Sequence, residues 1–234
     1  MITLYKYRPF NVHLKPIIIS QVIWFPTRAA LNDPEDLELK LVEDVDAEVY
    51  RQFLLKKADQ DSWTRKNLKY NLKHAFTPNG YLTSEAKQKI ATSQAVLQKY
   101  FDGLGILSLS DKENDPILWD RYGDKGKGVC IVFRMDLSEF LLRVKYVTPR
   151  PQPKLSVLML SADADQELRN VFGTKTTKWC DESEWRYFVS NGNTEFSFLG
   201  KIAAIRIGRR MLDTNRQTIA QWVAAAGHSI DIED

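Results

Sequence analysis

Gly105-Ile-Leu-Ser-Leu-Ser110, Trp119-Asp-Arg-Tyr-Gly-Asp-Lys-Gly-Lys-Gly128 and Val129-Cys-Ile-Val-Phe133 together decide how this chain is read. The outer two runs are apolar enough for strands. The middle one is too long, too aromatic and too charged for a plain hairpin turn. Its glycines free the backbone for a close approach. Trp119 and Tyr122 are three residues apart, so one helical turn would set both on one side, as a pocket wall. A dinucleotide-binding unit is disfavoured, because no strand runs into a glycine-rich turn that opens a helix. A phosphate-binding Walker loop is disfavoured too. Lys125 and Lys127 precede no Ser or Thr, and a strand follows the glycines.

Working outward, Ile2–Tyr7 and Gln21–Phe25 read as strands, the second stopped by Pro26. Asp46–Asp59, Ser62–Ala75 and Ser84–Phe101 carry helical spacing. Val129–Arg134, Leu141–Val147, Trp185–Ser190, Lys201–Ile207 and His228–Ile232 read as further strands. Ser161–Phe172 and Arg209–Ala226 read as helices. Strands first, then helices, then mostly strands predict an α+β fold. The expectation is a mixed, mostly antiparallel sheet in a single domain over 1–234, with a helical insertion at about 45–102 between early strands.

The chain has 234 residues, 44% hydrophobic and 27% charged, which is ordinary for a soluble globular protein. No apolar run approaches a membrane span, and Pro16-Ile-Ile-Ile-Ser20 is too short for a signal-peptide core. The expectation is therefore a cytoplasmic protein without a membrane partner. Cys130 and Cys180 then read as reduced thiols. With three scattered histidines they form no zinc-ligand spacing, so no metal is expected. A net charge of +3 permits nucleic-acid contact without arguing for it. The basic run around Arg65, Lys66, Lys69, Lys73 and His74 reads as a solvated helix face.

Four clusters carry chemistry. On a strand, Tyr5 and Tyr7 share one face while Lys6 and Arg8 share the other, where an Arg fork could hold a phosphate. Asn32-Asp33-Pro34 is a turn that could brace a site. Ser108 and Ser110 share a strand face and could orient a carboxylate or a ribose hydroxyl. In an extended chain Glu182 and Glu184 would face one way, ~7 Å apart, and two close carboxylates push one pKa up. Arg186 has the same parity and could pair with Glu184.

Taken in order, Leu4–Arg8, Trp24-Phe25, Asn32–Pro34, Ser108–Ser110, Trp119-x-x-Tyr122-Gly with Gly126-Lys-Gly128, Val144-x-Tyr146 and Lys178-Trp179…Glu182-x-Glu184-Trp-Arg186 resemble a prokaryotic domain-of-unknown-function family, number twenty-nine seventy-one in its series. The resemblance runs from about Ile2 to Ile207 and implies relatives rather than a chemistry. A looser one is to ADP-ribosyltransferases of the Arg–Ser–Glu type. Arg8, Ser108/Ser110 and Glu182/Glu184 occur in that family's order, with Leu109 between the serines where those enzymes often carry Thr.

That likeness implies NAD as substrate. Glu184 would be the catalytic carboxylate, Glu182 would position the acceptor, and Ser110 would orient the catalytic Glu. Arg8 would hold phosphates, with Tyr7, Ser108, Lys127 and Arg186 also about the cofactor. Tyr122 or Trp119 would stack on nicotinamide. The acceptor would be a protein or a nucleic acid, as in toxin or antiphage systems. Two other readings stay open. One is a nucleotide- or nucleic-acid-binding module, with Trp63, Tyr70 and Trp119 available for stacking. The other is a metal-dependent nuclease, with Asp115, Asp120, Asp124 and Glu184 as oxygen ligands.

Overall fold

The computed structural model describes residues 1–197 and 200–233. The chain divides into two compact units: 1–36, 103–148 and 175–234 form the first, and 37–102 with 149–174 form the second. The fold is α+β with a mostly antiparallel sheet.

The first unit holds β1 (Ile2–Arg8), α1 (Leu14–Ser20), β2 (Val22–Phe25), β3 (Gly105–Ser110), α5 (Pro116–Arg121), β4 (Val129–Met135), β5 (Leu141–Arg143), β6 (Lys145–Tyr146), β8 (Glu184–Val189), β9 (Thr194–Ser197), β10 (Lys201–Ile207), α8 (Asp213–Ala225) and β11 (Asp231–Glu233). The second holds α2 (Ala47–Gln60), α3 (Arg65–Ala75), α4 (Ser84–Asp102), α6 (Leu155–Leu160) and α7 (Ala164–Phe172). The chain passes between them after residues 36, 102, 148 and 174, the last within the short strand β7 (Thr174–Lys175).

Seven strands form one sheet in the order β11-β10-β4-β1-β3-β8-β5, and only β10 and β11 run parallel. Alternation divides its faces. Leu4, Leu107, Leu109, Ile131, Phe133 and Tyr187 face a large apolar core that also takes Leu14, Ile17 and Ile18 of α1 and Ile219 of α8. The other face carries Tyr5, Tyr7, Cys130, Val132 and Ala204, covered by Leu118 of α5. Asp115 starts α5 by accepting from Ile117 N (2.9 Å) and Leu118 N (3.0 Å), with Pro116 where a missing N–H costs nothing.

The seam inside this sheet lies between β1 and β3. β1 matches β4 along its whole length, but meets β3 at a single ladder pair, Tyr5 opposite Ser110. Further along β3, Ile106 N donates instead to Pro26 O (2.9 Å). Beside β4, Gly128 and Gly208 permit a backbone approach that no side chain would. A Cβ on Gly128 would lie 2.1 Å from Arg8 O, and one on Gly208 2.3 Å from Gly126 O.

Several elements differ from the sequence expectation. Pro16-Ile-Ile-Ile, given no element in the sequence reading, lies in helix α1, since Pro fits a first helical turn. Leu141–Val147 splits into β5 and β6. A helix at Leu155–Leu160 and a strand at Thr194–Ser197 were not expected, and α7 begins at Ala164 rather than Ser161. In the second unit, Asp46 and Thr64 cap α2 and α3, and Tyr50, Leu54, Ala75 and Ala86 form its core. Among the described residues no helix is long and apolar enough to cross a membrane.

Candidate functional site

The register of β3 and β8 sets Ser110 opposite Glu184 and Ser108 opposite Arg186. Directly opposed residues share a face, so these four side chains stand together on the sheet face of Tyr5 and Tyr7. Arg186 is fully buried. Its Nε donates to Glu184 Oε1 (2.9 Å) and its Nη2 to Glu184 Oε2 (3.0 Å) and Asp36 Oδ2 (2.6 Å). Lys175 Nζ donates to Glu182 Oε2 (2.6 Å) and Glu184 Oε2 (3.1 Å), and lies 3.6 Å from Asp36 Oδ2. All five of these residues are buried. Three carboxylates thus face these two cations, and Arg121 Nη1 lies 3.7 Å from Glu182 Oε1. The second oxygen of Asp36, Oδ1, is buried and has no hydrogen-bond partner among the described residues.

Glu182 and Glu184 do not converge by strand pleating, as expected from the sequence. Glu182 ends a 3-10 turn (Thr177–Glu182), and Ser183 is left-handed (φ 45°) before β8 begins. The two carboxylates meet because Lys175 bridges them. That bridge also corrects the electrostatic expectation. Burial pushes the Glu184 carboxyl up, but Arg186, Lys175 and the Ser108 hydroxyl outweigh it and hold it down to about 2. Glu184 is therefore ionised at neutral pH and is a poor proton acceptor. Lys175 loses to burial but gains more from Glu184, Glu182 and Asp36, so its pKa rises.

A cavity of about 280 Å³ opens beside this cluster at the β1–β3 seam. Tyr5, Tyr7, Leu118 and Tyr122 wall it; Lys6, Lys175, Glu182, Glu184, Ser108 and Ser110 line it. Tyr122 donates its hydroxyl to Glu182 Oε1 and accepts from Asn32 Nδ2 (3.1 Å). Tyr7 is anchored by donating to Lys112 O (2.9 Å) and accepting from Asp115 N (3.0 Å). Burial, and the neighbouring Glu182, raise the Tyr122 hydroxyl well above its usual range.

The remaining expected residues divide. Ser108 bonds the Glu184 carboxylate, as a serine that orients an acid would. Ser110 does not. Its hydroxyl donates to the main-chain Glu182 O (2.6 Å) and accepts from Lys112 N (3.1 Å), so it fixes the backbone. The β1 cation that lines the cavity is Lys6, not Arg8; Lys6 Nζ donates to Ser108 O (2.7 Å), a carbonyl left open by the splayed strands. Burial, then Arg8, lower its pKa to about 8 despite Glu184 and Glu182. Lys127 is exposed and does not line the cavity. Trp119 and Tyr122 do not share a wall. Tyr122 lies past the end of α5 and lines this cavity, whereas Trp119 lines a separate one.

Asp36 and Lys175 were missed as site residues: Asp36 closes the Asn32–Asp36 stretch that reads as a turn, and Lys175 belongs to no motif. Asp33, read as part of a turn that could brace a site, accepts from Trp179 Nε1 (2.6 Å) and pairs with Lys178 (3.4 Å). Asp115 caps α5, Asp120 lines the separate cavity, and neither meets Glu184. Among the described residues no three of His, Cys, Asp and Glu are grouped to hold a metal ion. Comparison of the chain with family models, with curated proteins and with solved structures gave no match.

Proposed function

We propose that this cavity takes the nicotinamide-ribose end of NAD and that the chain transfers ADP-ribose to an acceptor. The observation that carries the reading is Glu184: an ionised carboxylate fixed by a serine hydroxyl at the edge of a tyrosine-walled cavity. A carboxylate held so far below neutral pH is suited to stabilising a developing cation rather than to moving protons. In the reaction the bond between the ribose anomeric carbon and the nicotinamide nitrogen breaks. Nicotinamide leaves with the electron pair, and the acceptor nucleophile bonds that carbon and gives up its proton. Tyr5, Tyr7 and Tyr122 supply aromatic surface beside the cationic centre. Lys6 takes the place given to Arg8 in the sequence reading.

The test is release of free nicotinamide from NAD, followed by chromatography. Wild type is expected to release it, and Glu184→Gln and Tyr122→Phe to lose most of that release at a temperature where circular dichroism shows both variants still folded. Release undiminished in Glu184→Gln overturns the reading.

A second reading has its own support. Arg186, Lys175 and Ser108 already engage the Glu184 carboxylate on both oxygens, as in a structural ion-pair network. A module that binds a nucleotide without turnover needs nothing more. NAD binding by calorimetry with no nicotinamide released decides for it.

A further inference from the structure

On the same sheet face, past Tyr7, the rows continue through Cys130 of β4 to Arg206 of β10. There a second and larger cavity, about 840 Å³, is lined by Trp119, Lys125, Arg206, Arg209 and Arg210 among others. We infer that it is a nucleotide subsite, in which a phosphoryl group meets Lys125, Arg209 and Arg210 and a base lies against Trp119.

Charge is the first argument. Arg206 is held by Glu113 and Glu233, which line the same cavity. With Asp120 the wall carries four cations against three carboxylates, a net charge of +1, and Lys125, Arg209 and Arg210 are the cations left outside the Arg206 pairing. Among the described residues none of those three cations makes an ion pair, and all three are exposed. Arginine forks suit phosphate oxygens.

The second argument is that these groups are in place before a ligand arrives. Asp124, Lys125 and Gly126 are all left-handed (φ 48°, 54° and 81°), a costly run for the first two. It is tied down by Arg210 N donating to Gly126 O (2.8 Å) and Gly208 N to Gly128 O (3.0 Å). The segments bearing Lys125 and Arg209-Arg210 are thus laced together by main-chain bonds. Trp119 is fixed likewise. Its Nε1 donates to Asn114 Oδ1 (2.9 Å), and its ring meets Tyr7 edge to face with centroids 5.1 Å apart. Groups held in the bound arrangement lose little entropy on binding.

Size and composition favour a nucleotide over an acidic peptide. The space exceeds what a bare phosphate fills, and an indole in the wall matches a flat base, which carboxylate side chains lack. The subsite stands apart from the NAD reading, because among the described residues none lines both cavities.

Calorimetry with ADP, adenosine, 5′-phosphorylated oligodeoxyadenylate and hexaglutamate tests it. ADP or the phosphorylated strand is expected to bind wild type more tightly than adenosine. The double change Arg209→Ala, Arg210→Ala should weaken that binding about tenfold or more, as loss of charge-assisted bonds does. Glu182→Gln, in the first cavity, should leave it unchanged. Tighter binding of ADP identifies a free nucleotide, and tighter binding of the strand a nucleic-acid end; both uphold the subsite. No binding of either overturns it. So does binding indifferent to the arginine pair, binding lost in Glu182→Gln, or preference for hexaglutamate.

Discussion

Glu184 sits in the first cavity with each oxygen already met by Arg186, whereas Arg209, at the second, has no ion-pair partner among the described residues. Both positions belong to one unit and one sheet face. In the first, charges are withdrawn from water and must answer one another, because an unpaired ion in that setting is costly. In the second, charges stay solvated and need no answer until a ligand comes. The first arrangement makes chemistry and stability inseparable; the second separates them.

The sharpest way to break this comparison is Arg186→Met. It leaves Glu184 and Asp36 without their guanidinium and should cost about 3–5 kcal/mol in urea unfolding. A loss as small as that of a surface change would show that the cluster is not truly dry.

Acid titration probes the same cluster. The folded Glu184 carboxyl is depressed to about 2, so its contribution is complete above the unfolded value and is lost as pH falls from there toward 2. Stability of wild type should decline through that window, and Glu184→Gln should flatten the decline. Gly128→Ala puts a Cβ 2.1 Å from Arg8 O and should cost about 1–3 kcal/mol by overpacking. The cost of that change falls at the segment that lines the second cavity, so nucleotide binding there should drop more than NAD binding.

Lys6 gives an effect of the same sign at the other end of the pH scale. Its folded pKa of about 8 lies below the ordinary lysine value, so between the two the unfolded chain binds more protons. Stability should therefore gain from this group as pH rises from about 8, and Lys6→Met should remove that gain when unfolding curves at pH 8 and pH 10 are compared. The smallest change is expected for Arg209→Ala, within about 0.5 kcal/mol of wild type. A large loss there would mean that Arg209 has a structural partner.

The parts legible in the sequence were those set by alternation along one strand. Ser108 could be placed with Ser110, and Glu184 with Arg186, because β3 and β8 are regular; the register that sets the two pairs against each other comes from the structure. Where geometry depended on a second element, parity alone failed. Lys6 and Arg8 are equivalent along β1, and only the parting of β1 from β3 selects Lys6. Trp119 and Tyr122 would share a side of a continuing helix, but α5 ends at Arg121 and the two aromatics separate. Asp36 and Lys175 enter from segments on either side of the second unit, a meeting that no local spacing records.

The parting of β1 from β3 has a mechanical consequence. A sheet joined there by one ladder pair and one lysine is, in effect, two leaves on a spine: β11-β10-β4-β1 and β3-β8-β5. Hydrogen exchange of the Tyr5 and Ser110 amides then reports the opening of a seam and not the melting of a sheet, and a ligand bridging Lys6 and Ser108 would act as a clasp.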